Sequence, residues 1–293
     1  MKKILLLAAA FSSAAFASEA SAGLSVHGHR GTRGTRPENT LPAFEEALRA
    51  GVDVLEMDLA VTKDGYLVVS HDPYVTPARC LGRDGTKLSS PVAIRSLTLE
   101  ELRRYDCGSQ RNPAFPRQET SPGAGIPTLD EVFGMVSAST IPAARTVEFN
   151  IETKIFPWEP TLAPDPDEFA RLTAETVVRN QMENRVIAQS FDSRTLRALK
   201  KIEPAIRTSQ LTHEELLDIV PALKSANTDI WSPNYRWITA DAVKAVRAAG
   251  IKVAPWTVNT EEEWNAVMAL GVDAIITDYP ADLIGYLKSK KLR

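Results

Sequence analysis

Val54-Leu55-Glu56-Met57-Asp58-Leu59-Ala60-Val61-Thr62-Lys63-Asp64-Gly65-Tyr66-Leu67-Val68-Val69-Ser70-His71-Asp72 is the stretch around which the chain is arranged. Two apolar arms flank Asp64-Gly65, a strong short-range signal for a β-hairpin. So short a turn cannot be a parallel crossover, which takes about a dozen residues, and the arms are expected to be antiparallel. With Asp64 and Gly65 as a two-residue loop, Lys63 faces Tyr66 and, counting outward, Asp58 faces His71. Glu56 and Asp58 are two apart, so a strand points both carboxylates to one face. The hairpin therefore brings an imidazole beside two carboxylates. Carboxylate oxygens suit a hard divalent cation, and imidazole suits proton transfer near neutral pH. An ordinary exposed hairpin has polar ends too, so the weight falls on what else the chain sends to the same place.

Working outward, the remainder of the 293 residues is long enough for one large barrel or two small domains. Residues 1–22 have the form of a secretory signal peptide: Met1-Lys2-Lys3, an apolar Ile4 to Phe16, and small-x-small cleavage candidates at Ala15-Phe16-Ala17 and Ala20-Ser21-Ala22. The apolar run is short of the ~20 residues a membrane span needs. No other stretch is long and apolar enough, so a soluble mature protein without stable membrane insertion, periplasmic in location, is expected. Its loss removes two lysines and one glutamate and takes the net charge from −3 to −4. A mildly acidic chain without a long basic run argues against a nucleic-acid footprint. Cys80 and Cys107 both fall in one loop-rich segment, where an oxidising compartment would let them form a disulfide. They form no metal-type cysteine cluster.

Before the hairpin, Leu24 to Gly31 reads as a strand running into a loop. Leu41 to Ala50 reads as a helix with Asn39 or Thr40 as cap and Gly51 past its end. After it, residues 72–125 are rich in Pro, Gly, Arg and Ser, with one helical segment near Leu99 to Tyr105. From Ile126 the rhythm is regular. Strands at Thr146–Glu152, Arg185–Ser190, Ala205–Thr208, Asp229–Ser232, Ile251–Trp256 and Asp273–Thr277 alternate with helices, one placed at Glu214–Val220. Such alternation implies a parallel sheet covered by helices. Nine strand candidates stand against eight staves, and one hairpin arm accounts for the surplus. The expected fold is α/β, a TIM-type (β/α)8 barrel over residues 23–293 with an insertion at about 72–125, after the third strand candidate. A doubly wound open sheet is the alternative, weakened because no Gly-rich dinucleotide fingerprint follows the first strand.

In such a barrel the chemistry sits at the C-terminal ends of the strands. His29 and Arg30 end the first strand; Glu56 and Asp58 end the second. Glu148, Asn150, Glu152 and Lys154 alternate with Val147, Phe149 and Ile151, so they share one face, too charged to meet the covering helices. That places Glu152 and Lys154 at the barrel mouth. Gln189 and Ser190 end the next stave, and Trp256, Thr257 and Asn259 follow the Ile251 strand. His27, one layer deeper than His29, reads as a packed group. Asp278 could equally cap the last helix and is not counted. Three carboxylates suit Mg²⁺ or Ca²⁺ rather than zinc, which would usually recruit the histidines. Arg30 and Lys154 suit a phosphate. Two histidines left free can serve as general base and acid. Together they describe cleavage of a phosphate ester.

The ordered set His29-Arg30-Gly31, Pro37-Glu38-Asn39-Thr40, Glu56-x-Asp58, Thr62-x-Asp64-Gly65, His71-Asp72, Glu152-x-Lys154 and Trp256-Thr257-Val258-Asn259 resembles the glycerophosphodiester phosphodiesterase family, over nearly all the mature chain. The resemblance implies a TIM-type barrel and metal-dependent hydrolysis of glycerophosphodiesters to glycerol 3-phosphate and an alcohol. It matches His29 and His71 to the acid/base pair, and Glu56, Asp58 and Glu152 to the ligands of one divalent cation. It matches Arg30 and Lys154 to phosphate contacts, and Trp256 to an aromatic pocket wall. The chain departs from the pattern at Gly31-Thr32-Arg33-Gly34-Thr35-Arg36, a doubled Gly-Thr-Arg, where Arg33 or Arg36 could add a phosphate contact. Two other outcomes use the same residues: a phospholipase D-like enzyme acting on lysophospholipids, in some cases releasing a cyclic phosphate, and a periplasmic glycerophosphodiester-binding protein without turnover. A pure binder needs no paired histidines.

Overall fold

The computed structural model describes residues 23–293, so the expected signal peptide lies outside the described residues. The elements run β1 (Ser25–Gly28), α1 (Leu41–Ala50), β2 (Val54–Val61) and β3 (Leu67–Val69). The insertion follows, with β4 (Tyr74–Val75), β5 (Leu81–Gly82), β6 (Val92–Ala93), the single turn α2 (Leu99–Leu102) and β7 (Tyr105–Asp106). Then come α3 (Leu129–Ala138), β8 (Glu148–Thr153), α4 (Pro166–Arg179), β9 (Val186–Ser190), α5 (Ser193–Ile202) and β10 (Arg207–Thr212). The chain ends with α6 (Ile219–Ser225), β11 (Ile230–Pro233), α7 (Ala240–Ala248), β12 (Lys252–Val253), α8 (Glu261–Ala269), β13 (Ala274–Thr277) and α9 (Pro280–Ser289). Among the described residues, no helix is long and apolar enough to cross a membrane.

Eight parallel strands stand in the order β12-β11-β10-β9-β8-β2-β1-β13. Hydrogen bonds from Asp273 N to Val253 O (2.9 Å) and from Ile276 N to Pro255 O (3.0 Å) close the ring between its two ends. The fold is thus a TIM-type barrel. The pleat of β2 shows how the sequence produces it. Leu55, Met57, Leu59 and Val61 point outward into the core shared with the helices, while Glu56 and Asp58 point inward; all eight residues of the strand are buried. Outside, Phe133 of α3 meets Phe149 of β8 edge-on at 4.8 Å. Threonines hold several helix starts: Thr128 and Thr260 complete capping boxes with Glu131 and Glu263, each such cap worth about 1 kcal/mol.

The surplus strand is β3, antiparallel to β2 and outside the ring. Its register differs from the expected one. Leu59 pairs with Val69 and Val61 with Leu67, so Ser70, not His71, lies opposite Asp58, and Ser70 N donates to Asp58 O at 2.9 Å. The cause is the turn. Thr62 N bonds Tyr66 O at 3.0 Å, leaving a three-residue loop with Gly65 at φ 86°, a left-handed position that glycine fills without steric cost. The outer edge of β3 is stitched to the residues just before α3: Val69 N donates to Pro127 O at 2.8 Å.

Two helices differ from expectation. The helix placed at Glu214–Val220 is α6, at Ile219–Ser225. Pro221 does not end it but sits in its first turn, where a missing N–H costs nothing. The segment near Leu99–Tyr105 helps form α2 only to Leu102, because Tyr105 pairs into the β5–β7 ladder.

At the opposite end of the barrel, Glu148 pairs with Arg207 at 2.9 Å, and His27 is only 3 % exposed. The Nδ1 atom of His27 has no hydrogen-bond partner among the described residues. Burial pushes its pKa down to about 4, against the pull of Asp53. A histidine lowered in the folded state contributes stability that is complete above the unfolded value near 6.5 and lost as pH falls toward the folded value. The fall is expected to be on the order of 2–3 kcal/mol between pH 7.5 and 4.5 from this group. In His27→Gln, urea unfolding at the two pH values should show a correspondingly smaller loss; an undiminished loss would assign the acid lability elsewhere.

Candidate active site

Strand register assembles the carboxylates. Parallel pairing of β2 with β8 sets Asp58 beside Glu152 and Glu56 beside Asn150. Oxygens of Glu56, Asp58 and Glu152 lie within 4.8 Å of one another, and all three residues are buried. Gln189 of β9 donates to Glu56 Oε1 at 2.6 Å, and Asn39 donates to Asp58 Oδ2 at 2.9 Å. Two cations face this cluster. Arg30 Nε lies 3.2 Å from Asp58 Oδ2; Lys154 Nζ lies 3.1 Å from Asp58 Oδ1 and 2.6 Å from Glu152 Oε1. Burial and the neighbouring Asp58 charge raise Glu56 well above the usual carboxylate range. Burial likewise raises Glu152, to about 7, although Lys154 opposes it. For Asp58, Lys154 and Arg30 outweigh burial and hold it well below that range. Two of three crowded acids resist ionisation even with two cations at hand. This donor set fits a hard divalent cation, whose charge would offset the remaining repulsion. Asp58 Oδ1, off-line for a hydrogen bond from the lysine, is an open acceptor in it.

The histidines reach the same cavity. His29, Arg30, Arg33, Glu56, His71, Glu152, Lys154 and Gln189 line it, with Phe191, Leu211 and Trp256 on the apolar side. His71 lies past the end of β3, so the one-residue register change does not turn it away; it stands in the bend at residues 71–73 rather than in the pleat. Its Nδ1 is 3.0 Å from Asp72 Oδ1. His29 leaves β1 where His29 N bonds Thr277 O, and Nδ1 meets Asp278 Oδ1 at 2.7 Å. Burial, with Arg33 and Arg30 nearby, pushes His29 down to about 4 despite Asp278, so the ring is neutral near pH 7. Arg30 adopts φ 50°, unusual for a side-chain-bearing residue, and its N–H donates to Glu56 Oε2 at 2.8 Å. A Cβ on the following Gly31 would come within 2.7 Å of the Ala43 backbone, so only glycine lets this turn sit against α1. Trp256 meets Phe191 edge-on at 5.8 Å and is fixed by Nε1 donating to Ser232 O at 2.8 Å.

Asp278, set aside on sequence, is instead central. The N-cap of α9 is Tyr279. Asp278 is fully buried and receives His29, Arg33 through Nε and Nη2 (2.7 and 2.9 Å) and Asn259 Nδ2 (2.8 Å). Those partners overcome burial and hold it well below its ordinary value. No local spacing signals this; it follows from β13 lying beside β1. The doubled Gly-Thr-Arg also separates. Arg33 stays in the cavity, 4.8 Å from the Phe115 ring centroid, while Arg36 turns away to Glu46 and Glu119.

The family model described as the glycerophosphoryl diester phosphodiesterase family matches residues 29–282. The chain belongs to that family. A glycerophosphodiester phosphodiesterase of Caldanaerobacter subterraneus subsp. tengcongensis is 32 % identical over 265 residues, covering 90 % of this chain and 97 % of its own. The crystal structure of a putative glycerophosphoryl diester phosphodiesterase from Silicibacter pomeroyi superposes with TM-score 0.82 at 29 % identity, over 89 % of this chain and 93 % of its own. An Oleispira antarctica phosphodiesterase solved with the product sn-glycerol-3-phosphate shares the fold, with TM-score 0.75 at 23 % identity, over 91 % and 97 % of the two chains. This member of the family is accordingly a phosphoric diester hydrolase with glycerophosphodiester phosphodiesterase activity, and the cavity at its barrel mouth is the candidate site for it.

Proposed function

We propose that the protein hydrolyses glycerophosphodiesters to glycerol 3-phosphate and an alcohol, with Glu56, Asp58 and Glu152 holding one divalent cation, Mg²⁺ or Ca²⁺. The observation that carries this reading is the trio of buried carboxylates beside two cations, in a cavity that also receives two histidines. A cation held by Glu56, Asp58 and Glu152 would supply positive charge to offset the negative charge that develops on the phosphoryl group. Arg30 and Lys154 lie beside the carboxylates and present a fork of donors and a point charge to the phosphate. His29 is the general base: neutral, with Nδ1 turned to Asp278, it keeps Nε2 free to take a proton from the water that attacks phosphorus. His71, held by Asp72, gives a proton to the departing alcohol oxygen as the phosphorus–oxygen bond breaks. Trp256 and Phe191 supply an apolar wall.

Phosphorus NMR of the purified protein with glycerophosphocholine and Mg²⁺ or Ca²⁺ tests the proposal. Glycerol 3-phosphate is expected as the product, its appearance abolished by a chelator and restored by excess metal. A persistent cyclic phosphate would replace direct hydrolysis by ring closure. Binding without turnover in the presence of metal would sink the enzymatic mechanism.

A further inference from the structure

The insertion is tied to residues beside the catalytic cavity. Its second ladder, β5 with β7, ends where Cys80 and Cys107 stand opposite each other and are joined by a disulfide. The residue before Cys80 is Arg79, in a turn fixed by Arg79 N to Thr76 O (3.1 Å) and by Gln110 Nε2 donating to Pro77 O and Cys80 O. The Arg79 guanidinium contacts two carboxylates, one in the loop after β1 and one next to His71. One is Glu38, at 2.5 Å, whose same oxygen accepts from Arg30 Nη1 at 2.9 Å. The other is Asp72, through Oδ2, while Asp72 Oδ1 contacts His71. An unbroken chain of charge-assisted contacts therefore runs from Asp58 through Arg30, Glu38, Arg79 and Asp72 to His71. The Glu38 and Arg79 side chains are only 10 % and 22 % exposed, and a planar fork that engages two acids at once fixes both in orientation.

We propose that Arg79, anchored by the Cys80–Cys107 staple, is a positioning residue that sets the phosphate-binding Arg30 and the proton-donating His71 in register. The inference rests on the roles given to Arg30 and His71 above. Arg79 itself does not line the cavity that holds the two histidines, so it acts through Glu38 and Asp72. A loss of orientation of this kind typically lowers activity by about 10- to 100-fold without unfolding the protein. Because the staple acts on the same arginine, its removal and the loss of Arg79 should not add.

The test uses the full-length oxidised protein with glycerophosphocholine and saturating Mg²⁺ or Ca²⁺, read by release of glycerol 3-phosphate. Arg79→Ala is expected to lower kcat by about 10- to 100-fold, a larger change than in KM, with an unchanged cooperative melt. Arg79→Lys, which keeps the charge but cannot fork, should recover part of the loss. The double substitution Cys80→Ser/Cys107→Ser should cost less than Arg79→Ala and add little when combined with it. Arg111→Ala, exposed in the same insertion, should stay at the parental rate. A near-parental kcat in Arg79→Ala alongside an inactive His71→Ala overturns the inference and spares the acid/base assignment. A near-parental kcat in His71→Ala overturns the assignment itself. If Arg79→Ala does not fold, a folded Arg79→Lys with parental kcat overturns the inference.

Discussion

His71→Ala is expected to lower kcat by about 10²- to 10⁴-fold, the usual cost of removing a general acid or base. The His71 side chain is 36 % exposed, so little packing is lost and the melting temperature should hardly move. His29→Ala should cost a similar factor in rate, with some stability as well, because its ring is buried against Asp278. Asp278→Asn separates the two effects. The amide nearly keeps the volume but removes the charge that fixes the His29 tautomer, so kcat falls while the fold persists. Steady-state kinetics with parallel melts measures all three. Either alanine variant working at near the parental rate would remove the histidines from the chemistry.

The second large effect falls on the carboxylates. Glu152→Gln is expected to lose at least about 10²-fold in activity, and added metal should not restore it. Its stability should move the other way. The folded Glu152 carboxyl, at about 7, lies above its unfolded value of 4.5, so the folded protein holds an extra proton between them. Stability from that group is therefore lost as pH rises through this window. In chelator, Glu152→Gln should gain on the parent between pH 5 and pH 8, and excess Mg²⁺ or Ca²⁺ should raise the melting temperature of the parent alone. Melts at the two pH values, with and without metal, provide the measurement. A variant that is less stable than the parent at pH 8 in chelator and still responds to metal would show that Glu152 serves the fold and not an ion.

Much of this was legible in the chain because one physical rule governs both levels. Alternation places Glu56, Asp58, Glu152 and Lys154 inward on strands whose other face is apolar, and barrel topology gathers strand ends at one mouth. What escaped was set by geometry beyond a few residues. Asp64-Gly65 announces a turn but does not choose between two and three loop residues, and the choice moved the pairing by one. Asp278 gains its role only when the last strand closes beside the first. Pro221 marks the first turn of a helix as readily as it marks an end. Arg79 sits in no spacing that names it, and only the folded insertion delivers it to Glu38 and Asp72.

The stitching of β3 to Pro127 and Thr128 has a further meaning. The polypeptide leaves β3 after Val69 and returns at Pro127, whose carbonyl already accepts a hydrogen bond from that same residue. Everything from 70 to 126 therefore hangs from a closed doorway, whose two jambs are held together whatever the length or content of the excursion. The loop-closure entropy of such an excursion grows only slowly with its length, so the paired ends at Val69 and Pro127 hold the entrance, with His71 beside it, largely independently of what lies between.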